Sequence, residues 1–509
     1  MDNAPSVNPP WQFGGEDVVV LVLSFVLLGT LVAVAELLHD RFEWSSRASR
    51  RLVHVGTGLY VVGTPHLFTS VAAIALLAAA FVLTNAVTAA RGWLRGMHPA
   101  GQVSRGTVAF PLALLVVLPF LWSEQRRFIL QTAFLILAVA DPVAAIVGER
   151  SAGRHVRIGT ATKSAAGSLA FFVAAWILTL LGLAAFGPST LQTAFGGQGI
   201  LIGAVVATIA TAVEALGGRG WDNFFIVIAS TATLLLSTLH PDWLLAMAMG
   251  VITGVLLALV SWKLAFLTRA GAIAAGLFAA TLIGVGGSGW IAPALAFFFL
   301  SSILSKWSRS RRTAKAVRGV DETRRDASQV YANGAVAWIL VLAYGFEPQA
   351  WLYWSFVGSI AAATADTWAT EAGPLFSQQP RLILSGRRVP SGTSGAVTWS
   401  GTAAGLLGAV VIWLCAAATA PPLAGVVGLA TSFVAVVAGG LAGSLVDSLA
   451  GATIQAVHED VATGRITDGH PSGTGSHTQR GWRFVDNDVV NVLCAAAGAA
   501  VAMAIVRTL

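Results

Sequence analysis

The sequence predicts an all-α protein: a polytopic transmembrane helical bundle of about sixteen spans, with two related halves in parallel tandem. Three observations predict it. Hydrophobic residues make up 56% of the 509 residues and charged residues only 11%, which excludes an ordinary soluble protein. Apolar runs of about 18 residues or more, each long enough to cross a bilayer as a helix, recur along the whole chain. A set of acidic residues inside those runs appears twice in the same order.

Taken in order, the apolar runs place helices at 17–38, 53–64, 67–90, 105–122, 127–148, 164–187, 198–216, 222–239 and 243–267 in the first half and its border. They continue at 270–287, 289–306, 328–345, 350–370, 397–420, 423–452 and 485–507. The run from Val18 to Leu38 follows an acidic stretch and is too long for a signal-peptide core, so it is expected to be the first span. Abundant Gly and Ala favour close helix packing in a membrane. Cys415 and Cys494 both lie in apolar runs and imply neither a disulfide framework nor a metal cluster.

The formal charge of +7 is unevenly spread. Basic residues gather at Arg41–Arg51, Arg91–Arg105, Arg150–Lys163, Lys306–Arg325 and Arg381–Arg388. If all five loops face the cytoplasm, the positive-inside rule is met with the amino terminus outside. The same loops suit an enzyme that takes a nucleoside triphosphate from the cytoplasm, so a topology signal and a functional one coincide.

The acidic pattern carries the chemistry. The first set is Asp141-Pro-Val-Ala-Ala-Ile-Val-Gly148, Lys163-Ser164 with Gly167-Ser168, Glu214 and Asp222-Asn223. The second is Asp366 with Glu371 and Gly373, Ser391-Gly-Thr393-Ser-Gly395, Asp447 and Asp486-Asn487. A charged side chain at the bilayer centre costs about 2.5–3.5 kcal/mol on insertion scales, so such residues are rarely placed there without a task. In the first set a carboxylate is followed by a loop carrying Arg154, then by a helix start at Lys163-Ser164. Free N–H groups at a helix start favour an anion, and Mg²⁺ takes one or two carboxylates plus phosphate oxygens. Asp222 and Asp486 also read as helix caps, and Ser164 as a helix-start residue. His54 is either an acid–base group or a hydrogen-bonded structural residue. In the second set Arg381, Arg387 and Arg388 form the basic loop, and the small-residue turn around Thr393 replaces the lysine. The polar loop Asp468–Ser476 reads either as filler or as a lid.

These motifs carry a resemblance. Residues of roughly 50–235 resemble the phytol kinase/dolichol kinase family, related to the phosphatidate cytidylyltransferases. The match rests on Arg51-x-x-His54, Asp141-x-x-Ala-Ala-x-x-Gly148, Lys163-Ser-x-x-Gly-Ser168, Ala210-x-x-x-Glu214 and Asp222-Asn223. The family often has Gly-Asp where this chain has Ala140-Asp141. Residues of roughly 268–509 are similar to the membrane family that includes phytyl-phosphate kinase. Arg269-Ala-Gly271, Gln329-Val-x-Ala-Asn-Gly334, Ala365-Asp-Thr-x-Ala-Thr-Glu371, Val389-Pro-x-Gly-Thr-x-Gly395 and Val489-Val-Asn491 carry it.

The resemblance implies two domains, 1–262 and 263–509, acting as consecutive enzymes. The first would phosphorylate an isoprenoid alcohol, and the second would convert the monophosphate to the diphosphate, with CTP or another nucleoside triphosphate and Mg²⁺. Expected metal ligands are Asp141, Glu214 and Asp222, then Asp366, Glu371 and Asp447. Lys163 and Asp486 join the catalytic groups. Arg51, Arg154, Ser164, Asn223, Arg381, Arg388, Thr393 and Asn487 are expected on nucleotide or phosphate. The partners expected are substrate, nucleotide and membrane lipid, with no nucleic acid and the oligomeric state open. A cytidylyltransferase making a CDP-lipid and a transporter are the alternatives. The carboxylates cluster near helix ends beside basic loops, unlike the midplane sites of transporters.

Overall fold

The computed structural model describes residues 13–94, 96–97, 105–151, 153, 155–159, 161–189, 196–313, 324–376, 378–460, 466–467 and 476–508. Arg154 and most of the Asp468–Ser476 loop lie outside the described residues. The described residues form two compact units, 1–244 and 245–509.

The first unit comprises α1 (Gly15–Phe42), α2 (Ser46–Leu67), α3 (Val71–Arg91), α4 (Gly106–Leu121) and α5 (Arg127–Arg150). An antiparallel hairpin, β1 (His155–Ile158) and β2 (Ala161–Ser164), leads into α6 (Ala165–Phe186), α7 (Gly197–Leu216) and α8 (Asp222–Leu239). Helix α5 is central: α2, α4, α6 and α8 all pack on it, and its residues from Phe128 to Phe134 are buried without a break. Gly58 lets α2 lie against α5, since a Cβ there would stand 2.4 Å from the Ala138 Cβ. By contrast α1 turns Val18, Val19, Val22, Leu23 and Val26 outward, the face expected of a helix in lipid. Its one buried carboxylate, Asp17, is structural. It accepts hydrogen bonds from the Thr69 backbone N–H (2.8 Å) and the Thr69 hydroxyl (2.7 Å), tying the start of α1 to the α2–α3 turn.

The second unit begins with α9 (Leu244–Lys263), α10 (Arg269–Thr281, extended by a π-helical turn at Leu282–Gly286) and α11 (Ser288–Thr313). Then come α12 (Ala327–Phe346), α13 (Ala350–Ala372), the short pair β3 (Arg381–Leu382) and β4 (Ala396–Val397), α14 (Trp399–Thr419) and α15 (Leu429–Thr453). A small antiparallel sheet of β5 (Val457–Asp460), β6 (Ile466–Thr467) and β7 (Ser476–Arg480), in the order β6-β5-β7, precedes α16 (Asn487–Thr508). The division falls one helix before the expected 262/263 boundary. Gly250 and Gly254 bring α9 against Ala280 and Gly276 of α10, so α9 packs with the next helix in the chain.

Helix α13 is the buried axis of this unit, with every residue from Leu352 to Ala365 out of solvent and α11, α12, α14, α15 and α16 around it. Gly358, Gly439 and Gly498 let α13, α15 and α16 approach backbone to backbone: a Cβ on Gly358 would lie 2.7 Å from the Gly498 carbonyl oxygen. We therefore expect Gly358→Val to destabilise the protein by about 1–3 kcal/mol through overpacking, read as a lowered melting temperature in detergent.

Thirteen described helices are long and apolar enough to cross a membrane, and the protein is an all-helical, multi-pass membrane protein. Helices α2 and α13 are not among them, because charged and polar residues dilute their apolar character, and α4 is only 16 residues long.

Candidate active site

In the first unit Asp141 and Asp222-Asn223 line one cavity of about 440 Å³, while Glu214 and Lys163 are not among its lining residues. Helix α2 lines it from end to end, and its lining changes character along the way. Arg47, Arg50, Arg51 and His54 come first, then Tyr60, Val61 and Thr64. Asp141 and Glu149 of α5 and Asp222 and Asn223 of α8 join the charged end; Ile74 and Leu77 of α3 and Leu114 of α4 join the apolar end. The cavity is thus polar at one end and hydrocarbon-like at the other.

Asp141 stands two thirds of the way along α5, just before Pro142, and its side chain is 26% exposed. The His54 Nε2 lies 2.9 Å from the Leu137 carbonyl oxygen and 3.9 Å from Asp141 Oδ2. A nitrogen facing a carbonyl carries the proton, so this edge of His54 is a donor beside Asp141. Glu214, Asp222 and Lys163 are the other charged groups close enough to act on Asp141. Glu214 is 5% exposed and is ion-paired through one oxygen to Lys163; its other oxygen is buried without a partner. Arg51 reaches Glu149 at 2.6 Å, with Arg47 at 3.6 Å, so two arginines are held at the cavity's edge by one carboxylate. The Asn223 amide donates to the Gly106 carbonyl oxygen (3.1 Å) and so pins α4 to α8 beside Asp222. Ser164 is the N-cap of α6, accepting from Gly167 N–H at 3.1 Å. Removing that cap with Ser164→Ala should cost about 1 kcal/mol, measurable as a lower melting temperature.

The second unit repeats the local geometry. Asp366 stands in the C-terminal half of α13, as Asp141 does in α5. Thr398 caps α14 by accepting from Gly401 N–H at 3.0 Å, as Ser164 caps α6. A Cβ on Gly401 would meet the Ala369 carbonyl at 2.9 Å, and one on Gly167 would meet the Ala144 carbonyl at 3.0 Å. Ala144 and Ala369 each lie three residues after the aspartate. Asp366 is hydrogen-bonded to the side chain of Asp447 on α15, and Cys494 of α16 lies within electrostatic reach of both.

Other expected residues of this unit have different positions. Asp486 caps α16, accepting from Val489 N–H at 3.0 Å. Asn487 accepts from Gln455 at 3.4 Å, and Gln455 also takes the Ser394 hydroxyl. The Ser391–Gly395 turn is thereby docked on the end of α15, with the Thr393 hydroxyl donating back to the Pro390 carbonyl oxygen (2.8 Å). Arg381 and Arg388 are exposed and paired across a hairpin, where the Arg381 guanidinium donates to the Gly386 carbonyl oxygen at 3.1 Å. Glu371 is at the end of α13, its backbone carbonyl accepting from Ser308 (3.1 Å). Reading the sequence missed Arg47, Arg50, Asn85, Gln455 and the placement of Cys494. The arginines were visible as a basic loop, but only the fold turns them to a cavity.

Both units fit a divalent cation. Two carboxylates meet at Asp366–Asp447, and Glu214 keeps an unpartnered buried oxygen in the neighbourhood of Asp141. Among the described residues no group of three or more His, Cys, Asp or Glu is gathered to hold an ion alone. Mg²⁺ usually takes one or two carboxylates and completes its shell with phosphates and water, so the Asp366–Asp447 pair is compatible with it, whereas the three-carboxylate sets expected from the sequence are not gathered.

Two all-helical units, each with acidic side chains on a central buried helix, define a multi-pass membrane protein. Residues 252–499 match the family described as "Integral membrane protein DUF92". "Uncharacterized membrane protein MJ0933" of Methanocaldococcus jannaschii is 34% identical over 201 residues, 39% of this chain and 79% of that protein. The chain belongs to this integral membrane family. It is also similar to "Phytol kinase" of Synechocystis, 24% identical over 230 residues covering 45% of this chain and 92% of that protein. "Protein VTE6, chloroplastic" of Arabidopsis thaliana is 25% identical over 290 residues, 54% of this chain and 75% of that protein. No solved structure matches.

Proposed function

We propose that the chain is a membrane phosphotransferase for isoprenoid alcohols. The first unit makes the monophosphate and the second the diphosphate, both from CTP or another nucleoside triphosphate at the cytoplasmic side. The observation that carries the reading is the cavity of the first unit. A lipid alcohol has one polar atom and a hydrocarbon tail, and the cavity has one charged end and one apolar end. The similarity to a protein named phytol kinase points the same way.

Phosphoryl transfer depends on positioning and charge stabilisation more than on covalent chemistry by the protein. Arg47 and Arg51, braced by Glu149, face the triphosphate at the mouth. Lys163, held by Glu214, offers a further cation to phosphate oxygens. His54, its Nε2–H given to the Leu137 carbonyl oxygen, stands beside Asp141 as a fixed part of the charged end. Asp141, Asp222 and the free oxygen of Glu214 would hold Mg²⁺, which when bound supplies charge neutralisation between phosphate oxygens. In the second unit Asp366 and Asp447 would hold the corresponding ion, and the docked Ser391–Gly395 turn offers backbone N–H groups to phosphate.

The test is incubation of purified protein in detergent with an isoprenoid alcohol, Mg²⁺ and CTP labelled at the γ-phosphate. Label is expected in lipid monophosphate and then diphosphate. Label leaving as pyrophosphate, with cytidine retained on lipid, would make the protein a cytidylyltransferase instead.

A further inference from the structure

We infer that the inner end of the first unit's cavity is a chain-length ruler, with Ile74 and Leu114 as its stop. This rests on reading the cavity as the site of an isoprenoid alcohol. The charged end is marked on α2 by His54, and the last α2 residue lining the cavity is Thr64. Ten residues of helix separate them, about 15 Å. An extended prenyl chain advances about 5 Å per five-carbon unit, given C–C bonds of ~1.5 Å. With the hydroxyl at His54 and Asp141, a C15 tail reaches the level of Thr64 and a C20 tail presses against the wall there.

That wall is solid. Thr64 and Ile74 are fully buried, Val61 and Leu114 nearly so, and Val61, Ile74 and Leu114 belong to the packed core of the unit. The floor is also without a free polar group on these side chains. The Thr64 hydroxyl donates to the Val61 carbonyl oxygen at 2.7 Å, and the Tyr60 hydroxyl is committed to Ser24. A second polar group on the tail would meet no partner there, and burying an unpaired one is unfavourable. The ligand class is therefore a single hydrocarbon chain of about three to four prenyl units with one terminal hydroxyl.

The experiment compares geraniol (C10), farnesol (C15), geranylgeraniol (C20) and undecaprenol (C55) as substrates, and as thermal-shift ligands without nucleotide. Ile74→Trp shortens the ruler: kcat/KM for C20 should fall by about 10-fold or more while that for C10 changes by less than about threefold, the scale on which pockets discriminate by hydrocarbon volume. The C10 activity reports that the variant is folded. Leu114→Ala, which lengthens the ruler by less than one prenyl unit without overpacking, should raise the C20-to-C15 ratio. Thermal shifts should follow the same length order. Equal losses for C10 and C20, or ratios unchanged in both variants, overturn the ruler even if the alcohols are phosphorylated. Length-dependent thermal shifts with no phosphorylation would instead overturn the enzymatic reading and leave the ruler standing.

Discussion

Asp141→Asn is expected to lower phosphorylation of the isoprenoid alcohol by on the order of 100-fold or more, while supplied monophosphate is still converted to diphosphate. The substitution keeps the size of the side chain and its place beside His54, so α5 should remain packed. What is lost is a negative charge among Glu214, Asp222 and Lys163. With Lys163 already taken up by Glu214, removing that charge leaves the cation-holding set short of its central member. Separate assays of the two steps, with melting temperature as the folding control, check it. Loss of both steps in folded protein would show that the units do not act independently.

Asp366→Asn should do the reverse, with monophosphate accumulating and its conversion falling by a comparable factor, about 100-fold. An amide at this position can donate a hydrogen bond to Asp447, so the contact between α13 and α15 is kept while an ionisable carboxyl is lost from the pair. Chromatography of the lipid products over time reads the outcome directly. Unimpaired diphosphate formation would remove Asp366 and Asp447 from the chemistry and leave them a structural carboxyl pair.

The parts of this picture that were legible in the sequence are those for which the membrane makes a residue expensive. Asp141, Glu214, Asp366 and Asp447 stood out because carboxylates in apolar helices need a reason, and the fold brings Asp141 within electrostatic reach of Glu214 and Asp366 against Asp447. Ser164 was readable as a helix-start residue, and the second-half equivalent, Thr398, was not singled out although it makes the same cap. The cavity was illegible. Its walls come from α1, α2, α3, α4, α5 and α8, and no local pattern says that Ile74 and Arg51 face one space. Charge alone also said nothing of how the loops fold: Arg381 and Arg388, read as phosphate ligands, lie opposite each other across a hairpin. Asp486, weighed between ligand and cap, makes a cap bond.

The buried position of α13 bears on how the protein is made. A segment carrying Asp366 and Glu371, and absent from the helices apolar enough to cross a bilayer unaided, partitions poorly into lipid as it leaves the ribosome. Of its neighbours, α11 and α12 are translated before it and α14, α15 and α16 after it. The axis of the second unit is therefore made before three of its five partners exist, and in chains truncated just after it the α13 segment itself should be found largely outside the bilayer.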